Sequence, residues 1–230
     1  NVNISSFVGE EISSSQKYLN FVIKVTEKDF GQAEIAPGFR TDLGFKFSTT
    51  VAYNNFQGMN RSLIVKAQSN WRTNFSFLDS RRRAENTKLL EGLVQFQYVE
   101  PYLFYNFFNT KVIFKATARY ERKRYTDFDA DIWSISPQLI KKFSDVVSMS
   151  LTYEFDNIRQ FDATDAIDED KYIIGALRPE LSLDFRDNAS MPRKGAWFNF
   201  SWEVANPFLG SQEDEDLTID YQKATIRNFN

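Results

Sequence analysis

The sequence predicts an all-β protein, an antiparallel up-and-down sheet that crosses a membrane as a β-barrel. Long segments alternate apolar and polar residues, so each of them would present one apolar and one polar face as a strand. Short turns alternate with longer polar loops along the chain. No apolar run approaches the roughly 18 residues that a membrane-spanning helix needs. Together these features are typical of a transmembrane β-barrel.

About ten strands are predicted from residue 32 onward. Their expected ranges are 32–40, 44–54, 61–72, 89–99, 110–122, 131–142, 146–159, 172–186, 195–205 and 216–228. Many of these segments reach the roughly 9–11 residues of a tilted membrane-spanning strand. Soluble sheets use strands of about five or six residues, so the lengths favour a membrane barrel.

In each strand, alternate residues are predicted to face lipid, and the residues between them are predicted to line a water-filled lumen. The lipid-facing residues are Phe45, Phe47, Val51, Leu151, Tyr153, Phe155, Phe198, Phe200 and Trp202. The lumen-facing residues are Lys46, Lys66, Glu91, Lys115, Arg119, Glu154, Arg178, Glu180 and Glu203. A soluble β protein that binds a lipid or sugar would show the same alternation with its polar face outside. So many long strands would enclose a space too wide for side chains to fill, which favours the polar interior.

Composition excludes several function classes. The 28 basic and 31 acidic residues give a net charge of −3, which does not favour a nucleic-acid partner. With no histidine, the chain lacks the usual general base and the commonest metal ligand, and with no cysteine it lacks thiolate ligands. The acidic runs at 162–171 and 212–216 lack the glycine and ligand spacing of a calcium loop. We therefore expect no enzyme activity, no metal and no cofactor.

One hairpin carries a resemblance to a known family. The stretch LDFRDNASMPRKGAWFNFSWE resembles the hairpin of Omp85 outer-membrane barrels, where Arg-Asp-Asn precedes a proline and a basic residue followed by glycine. Its positions here are Arg186, Asp187, Asn188, Pro192, Lys194 and Gly195. From the residues alone, Asp187 and Asn188 begin a turn. Pro192 and Gly195 supply the φ values with which the chain reverses its direction.

Three further motifs follow in the order found in that family. FVIKVTEKDFGQAEIAPGFRTDLGF is similar to the join between the last POTRA domain, a small periplasmic module, and the barrel. AYNNFQGMNRSLIVKAQ resembles the second turn, and YVEPYLF resembles the turn after strand four. The resemblance implies that residues 1–30, which read as two short strands near 2–8 and 19–27, end a POTRA-like domain. Residues 31–230 would begin a barrel of about sixteen strands.

Two details refine the resemblance. The Glu100-Pro101-Tyr102 turn and the full Arg-Asp-Asn triplet are nearer to the outer-membrane protein insertases than to translocation or secretion members, which stay open as alternatives. An Arg-Gly-aromatic signature typical of the family barrel is absent. Ten strands with free edges would expose unpaired backbone to lipid, so we expect a longer chain or a closing partner.

The resemblance implies that the first barrel strand is a lateral gate, whose edge templates incoming strands by backbone hydrogen bonding. Its residues are Gln32, Ala33, Glu34, Ile35, Ala36, Pro37, Gly38, Phe39 and Arg40. Pro37 cannot donate to a ladder and Gly38 adds no side chain, so the sequence itself predicts a weak strand. A strand that is only irregular at a domain join is the alternative.

The resemblance also implies a location and partners. We expect the outer membrane of a Gram-negative bacterium with the POTRA-like side in the periplasm. Expected partners are unfolded outer-membrane protein clients, outer-membrane lipids including lipopolysaccharide, and accessory lipoproteins, with no nucleic acid. The basic run at 81–83 would meet lipopolysaccharide or would be an ordinary charged loop. A passive outer-membrane channel is the remaining alternative function.

Overall fold

The computed structural model describes residues 2–8, 19–25, 30–40, 44–71, 90–103, 112–125, 128–163, 170–188, 190–214 and 217–229. The basic run at 81–83 lies outside them, as do parts of both acidic runs. The chain divides into two compact units at the predicted boundary, between Phe30 and Gly31. No helix in the described ranges has the length and apolar character to span a bilayer.

The first unit contains two short antiparallel strands. Strand β1, Val2–Val8, pairs with β2, Leu19–Val25, in a continuous register from Val2 opposite Val25 to Val8 opposite Leu19. Both strands lie where the sequence predicts them. Assignment of this unit to a POTRA-like domain stays a prediction.

The second unit is one antiparallel sheet. Its strands are β3 Gly31–Arg40, β4 Gly44–Phe56, β5 Arg61–Trp71, β6 Leu90–Glu100, β7 Val112–Arg124, β8 Asp129–Lys142, β9 Val147–Phe161, β10 Lys171–Asp184, β11 Trp197–Ala205 and β12 Tyr221–Phe229. Each strand pairs with its neighbours in the chain, so β3 and β12 form the two edges of the described sheet. The predicted all-β up-and-down arrangement of ten strands is confirmed.

One predicted boundary is wrong. The last strand begins at Tyr221 rather than at residue 216. A small turn precedes it, because the Asp214 N–H donates to the Leu217 carbonyl at 2.9 Å and Glu213 bridges to Thr218. Leu217 and Thr218, which the sequence pattern assigns to the strand, therefore pair with this turn instead.

Strand register separates two faces of the sheet. The apolar face is the one that carries Phe47, Val65, Phe96, Ile135 and Phe200, and the polar face carries the alternate residues of each strand. Within β3–β12, every large hydrophobic side chain that is exposed lies on the apolar face. All nine predicted lumen-facing residues lie on the polar face.

Burial is reversed relative to a soluble protein, because large apolar side chains are exposed and polar side chains are buried. Phe45 and Trp133 on the apolar face are each 61% exposed, whereas Thr152 and Asn199 on the polar face are each only 4% exposed. Soluble proteins rarely leave such a contiguous apolar surface uncovered. A barrel in a bilayer requires it, because its outer band meets lipid while its interior holds polar groups.

The predicted lipid-facing residues divide into two groups. Exposed residues on the apolar face are Phe45, Phe47, Val51, Leu151, Phe198, Phe200 and Trp202. Tyr153 and Phe155 lie on the same face but are only partly exposed. The segment that follows β11 covers them. The Tyr153 hydroxyl donates to the Leu209 carbonyl at 2.9 Å, and Phe155 lies within 4.0 Å of a Cβ built at Gly210. Contact with lipid stays a prediction for the exposed group.

The covering segment depends on a glycine beneath it. A 3-10 turn, Pro207–Leu209, lies so close to β10 that a Cβ at Gly175 would come 2.0 Å from the Leu209 carbonyl oxygen. The Ser211 hydroxyl donates to the Gly175 carbonyl at 2.9 Å and accepts from its N–H at 3.1 Å. These bonds continue the pairing of β10 beyond the point where β11 ends.

Candidate functional site

Strand β3 is the edge that the sequence predicts to be functional. It pairs with β4 without interruption, from Gly31 opposite Tyr53 to Arg40 opposite Gly44, and no other described strand pairs with it. Residues 31–39 are all exposed, including Ile35 at 65% and Phe39 at 55%. The edge therefore presents backbone groups that another strand could pair with.

The position of Pro37 fits this edge. It lies opposite Phe47 and has no N–H, and sheets tolerate proline chiefly at their edges. Two side chains of β4 bond to β3 carbonyls, because Thr49 Oγ1 donates to Glu34 at 3.1 Å and Ser48 Oγ to Ala36 at 3.3 Å. Strand β3 is thus held from one side only, by backbone pairing and by these hydroxyls.

The Arg-Asp-Asn hairpin connects β10 to β11 and folds around two acceptor side chains. Asp187 Oδ1 accepts from the N–H groups of Arg193 at 2.9 Å and Lys194 at 3.2 Å. Asn188 Oδ1 accepts from the N–H groups of Ser190 at 2.8 Å and Met191 at 3.1 Å. The side chains thus satisfy backbone donors that no strand partner reaches, which is how Asp and Asn stabilise turns.

The hairpin is closed by an ion pair and a glycine. Arg186 donates to Asp184 in a bidentate arrangement, Nε to Oδ1 at 2.8 Å and Nη2 to Oδ2 at 2.7 Å. Gly195 has a φ of 96°, and a Cβ there would lie 2.1 Å from the Phe185 carbonyl oxygen. Lys194 contributes through its backbone, since its carbonyl accepts from the Asp187 N–H at 3.1 Å, and Pro192 is exposed.

Hydrogen bonding also sets the charge state of Asp187. The N–H groups of Arg193 and Lys194 favour the charged carboxylate, and they lower the pKa of Asp187 below its ordinary value. The group therefore stays ionised at neutral pH. In that form it accepts hydrogen bonds from the two backbone N–H groups that close the turn.

Two other motifs meet at the same end of the sheet. Arg61, at the end of the second turn, forms an ion pair between its Nε and Oε2 of Glu100, which begins the Glu-Pro-Tyr turn. The Tyr98 hydroxyl donates to the same carboxylate oxygen at 2.9 Å, and Arg61 Nη1 donates to Gln57 at 2.9 Å. Neither sequence motif predicts this ion pair. The one available indication was that consecutive antiparallel strands bring the start of β5 and the end of β6, and so Arg61 and Glu100, to the same end of the sheet.

We call this end of the sheet the motif rim, defined by the turns at 57–60, 101–103, 143–146 and 185–196. Antiparallel strands alternate in direction, so these turns lie at one end of the sheet, and β5, β7, β9 and β11 end at the opposite rim. Strand β3 also begins at the motif rim, because Gly31 lies opposite Tyr53 near the end of β4. The structure therefore brings three of the four sequence motifs and the start of β3 to a common end.

A charged network crosses the polar face. Arg178 donates to Glu154 through Nη2 at 2.5 Å and Nη1 at 3.1 Å, and its Nη1 lies 3.5 Å from Oε2 of Glu203. The Tyr221 hydroxyl donates to Glu203 at 2.8 Å, so the network joins β9 to β12. Within the described residues, no group of three or more acidic, histidine or cysteine side chains could hold a metal ion. The arrangement links β9, β10, β11 and β12 across the polar face.

Comparison with known proteins places this sheet in a family. The Omp85 superfamily domain matches residues 55–223. The chain belongs to the Omp85 superfamily. The matched range spans most of the sheet, from the second turn to β12, and leaves β3 and residues 1–30 outside it. The predicted Omp85 resemblance is thereby confirmed, and the motif at 21–45 lies outside the matched range.

A solved structure supports the same fold. The crystal structure of BamA from Haemophilus ducreyi lacking POTRA domains 1–3 superposes with a TM-score of 0.56 at 14% sequence identity. The match covers 92% of this chain and 40% of that one, so this chain spans less than half of the solved protein. No curated protein matches. At this identity the likeness concerns the fold alone.

Proposed function

We propose that this Omp85 chain is part of a non-enzymatic insertase that folds barrel proteins into the outer membrane of a Gram-negative bacterium. In this proposal the edge of β3 acts as the lateral gate and pairs with strands of unfolded client proteins. The first unit lies on the periplasmic side, and accessory lipoproteins assist. The likeness to a BamA fold supports the proposal without extending to activity.

The observation that carries the proposal is that β3 is an edge strand of the described sheet. The described sheet leaves its backbone groups on one side without a strand partner, while β4 pairs with every residue from Gly31 to Arg40. Unpaired backbone groups are costly in lipid, so an arriving strand gains favourable hydrogen bonds when it pairs there. Binding by strand addition needs no catalytic side chain.

The first experiment changes the proline at the edge. Substituting Pro37→Val restores an N–H and a β-branched side chain, which should strengthen pairing of β3 with whichever strand closes the barrel. We expect slower insertion of client barrels into vesicles that contain the intact protein. Pro137→Val in the interior strand β8 is the matched control and should leave insertion unchanged. Equal insertion rates for wild type and Pro37→Val would contradict a gating role.

A second experiment uses the absence of cysteine from the sequence. A single thiol at Glu34→Cys in β3 should form disulfide crosslinks with single-cysteine clients during insertion. The control is Gln95→Cys in β6, on the same polar face but paired on both sides. Crosslinking of similar yield at both positions would show that clients meet the lumen generally rather than the β3 edge.

A translocation pore of the same family is the second candidate. Its supporting observation is the polar face, where Arg178, Glu154 and Glu203 provide a hydrated lining that a passing chain could follow. The two functions differ in where the client finishes. Insertase clients become protease-resistant barrels in the membrane, whereas translocated clients are released on the far side.

A further inference from the structure

A groove lies on the apolar face across strands β6–β9. It has a volume of about 440 Å³, and its lining includes Val94, Phe96, Ala118, Tyr120, Trp133 and Ile135. Ala118 forms the floor because it lies in register between Phe96 of β6 and Ile135 of β8, both of which are more than half exposed. A methyl group between two large side chains leaves a channel that runs along β7.

Aromatic rings border the groove toward the opposite rim. Tyr120 and Trp133 lie in register with centroids 4.5 Å apart, two residues beyond Ala118 along β7. Tyrosine and tryptophan are enriched where a bilayer meets water, because one part of each ring is apolar and the other polar. The rings therefore mark the level at which an acyl chain in the groove would reach its headgroup.

A row of charged residues follows directly beyond these rings. Arg122, Asp131, Arg159 and Lys171 lie in register across β7 to β10 on the same face. Arg122 is paired with Asp131 at 2.6 Å, which leaves the row with three cations and one anion. Arg159 and Lys171 are exposed, and neither forms an ion pair with another described residue.

We propose that this groove is a binding site for lipopolysaccharide, with an acyl chain on Ala118 and a phosphate of the headgroup on Arg159 and Lys171. Ala118 and Arg122 are four positions apart, so the charged row lies about 13 Å along β7 from the groove floor. Arg159 and Lys171 lie two and three strands to the side of Arg122, about 10 Å and about 14 Å away, so the headgroup would have to reach sideways to meet them. The proposal rests on the proposed function, which puts the first unit on the periplasmic side. Strand β3 follows that unit directly in the chain and begins at the motif rim. The opposite rim then meets the outer leaflet, where the phosphorylated lipid is lipopolysaccharide.

The first test fills the groove. Ala118 is exposed, so Ala118→Phe places a ring in the channel without entering a packed core. We expect a several-fold loss of affinity for purified lipopolysaccharide, measured by native mass spectrometry of the intact protein in detergent. Ala224→Phe, also exposed on the apolar face but on β12, is the control and should bind as wild type does. Unchanged affinity in Ala118→Phe would overturn the site.

The second test removes the cations and varies the lipid. Arg159→Gln with Lys171→Gln should weaken lipopolysaccharide binding, whereas Lys66→Gln with Lys223→Gln on the polar face should not. Dephosphorylated lipopolysaccharide should bind the wild type and the double variant at Arg159 and Lys171 with equal affinity. Equal binding of phosphatidylglycerol by wild type would overturn the assignment to lipopolysaccharide. Because client insertion is measured separately in vesicles free of lipopolysaccharide, failure of this site and failure of the insertase proposal give different results.

Discussion

Strands β3 and β10 show two ways in which one sheet holds a strand. Strand β10 pairs with β9 from Lys171 to Leu183 and with β11 over half of its length, and Gly175 and Ala176 within it are buried. Strand β3 pairs on one side only, and its residues 31–39 are all exposed. Segments with few buried contacts open at lower free energy than segments with many. The comparison teaches that, among the described residues, pairing and burial are concentrated around β10, whereas β3 is paired on one side and exposed.

Each of these strands contains a proline, with different consequences. The β10–β11 register lacks pairs between Leu177–Val204 and Glu180–Ser201, the gap in which Pro179 lies. Arg178 bridges this gap through its contact with Glu203. No comparable ion pair spans β3 at Pro37 among the described residues. Pro179 thus lies in a pairing gap that a side-chain contact crosses, and Pro37 lies on an edge beside which no described strand pairs.

The largest expected effect breaks the hairpin that follows β10. Gly195→Ala would hold a side chain at a φ of 96°, which costs about 1–3 kcal/mol before the contact with the Phe185 carbonyl is counted. We expect a clearly lower midpoint in denaturant unfolding of the intact protein in detergent. Gly92→Ala is the control, because its Cβ would meet only ordinary contact at 3.7 Å. Equal midpoints for both variants would show that the hairpin adds little to β10.

The second prediction removes the cation from the polar network. Arg178→Met would leave Glu154 and Glu203 without their shared partner and should destabilise the protein by about 1–3 kcal/mol in the same measurement. Adding Glu154→Gln to this variant should restore part of the loss, since it removes one of two facing negative charges. Lys66→Met, on the same face and exposed, is the control. Equal losses at Lys66 and Arg178 would show that general charge removal, rather than the network, is responsible.

The sequence predicted the sheet well for a physical reason. Side chains alternate between faces with a period of two, so each strand from β3 to β11 is marked by its own residues within a few positions. Contacts made by loops leave no such periodic pattern in the sequence. The cover over Tyr153 joins residues 56 positions apart, and the pairing of Ser211 with Gly175 joins residues 36 apart. Nothing near Tyr153 or Phe155 in the sequence distinguishes them from Leu151, which stays exposed.

For the candidate site, the sequence indicated the turn chemistry of the hairpin, and the gate assignment of β3 stays a prediction. Turn chemistry correctly indicated that Asp187, Asn188 and Gly195 shape the hairpin. The gate assignment of β3 came from the resemblance, and the sequence supported it only through Pro37 and the neighbouring glycines. The Arg61–Glu100 pair could not be read from either motif, because it depends on the registration of β5 with β6.

A third prediction concerns pH and the Asp187 carboxylate. Its pKa in the folded protein is below the ordinary value of about 3.9, so its stabilising effect is complete above that value and is lost as pH falls through the folded pKa. Asp187→Asn should therefore unfold at lower temperature than wild type at pH 6. The difference should shrink as the pH is lowered below about 4. A difference in melting temperature that is the same at pH 6 and pH 3 would show that the charge of Asp187 is not what holds the turn.

The smallest expected effect is at β3 itself. Ile35 is 65% exposed on a strand with one neighbour, so Ile35→Ala should change the free energy of unfolding by no more than about 0.5 kcal/mol. Leu181→Ala in β10, whose side chain lies between Met149 and Phe200, should cost more in the same denaturant series. If the two substitutions destabilise the protein equally, β3 is held as firmly as β10. The edge would then lack the weak attachment that partner exchange requires, and the gate proposal would lose its physical basis.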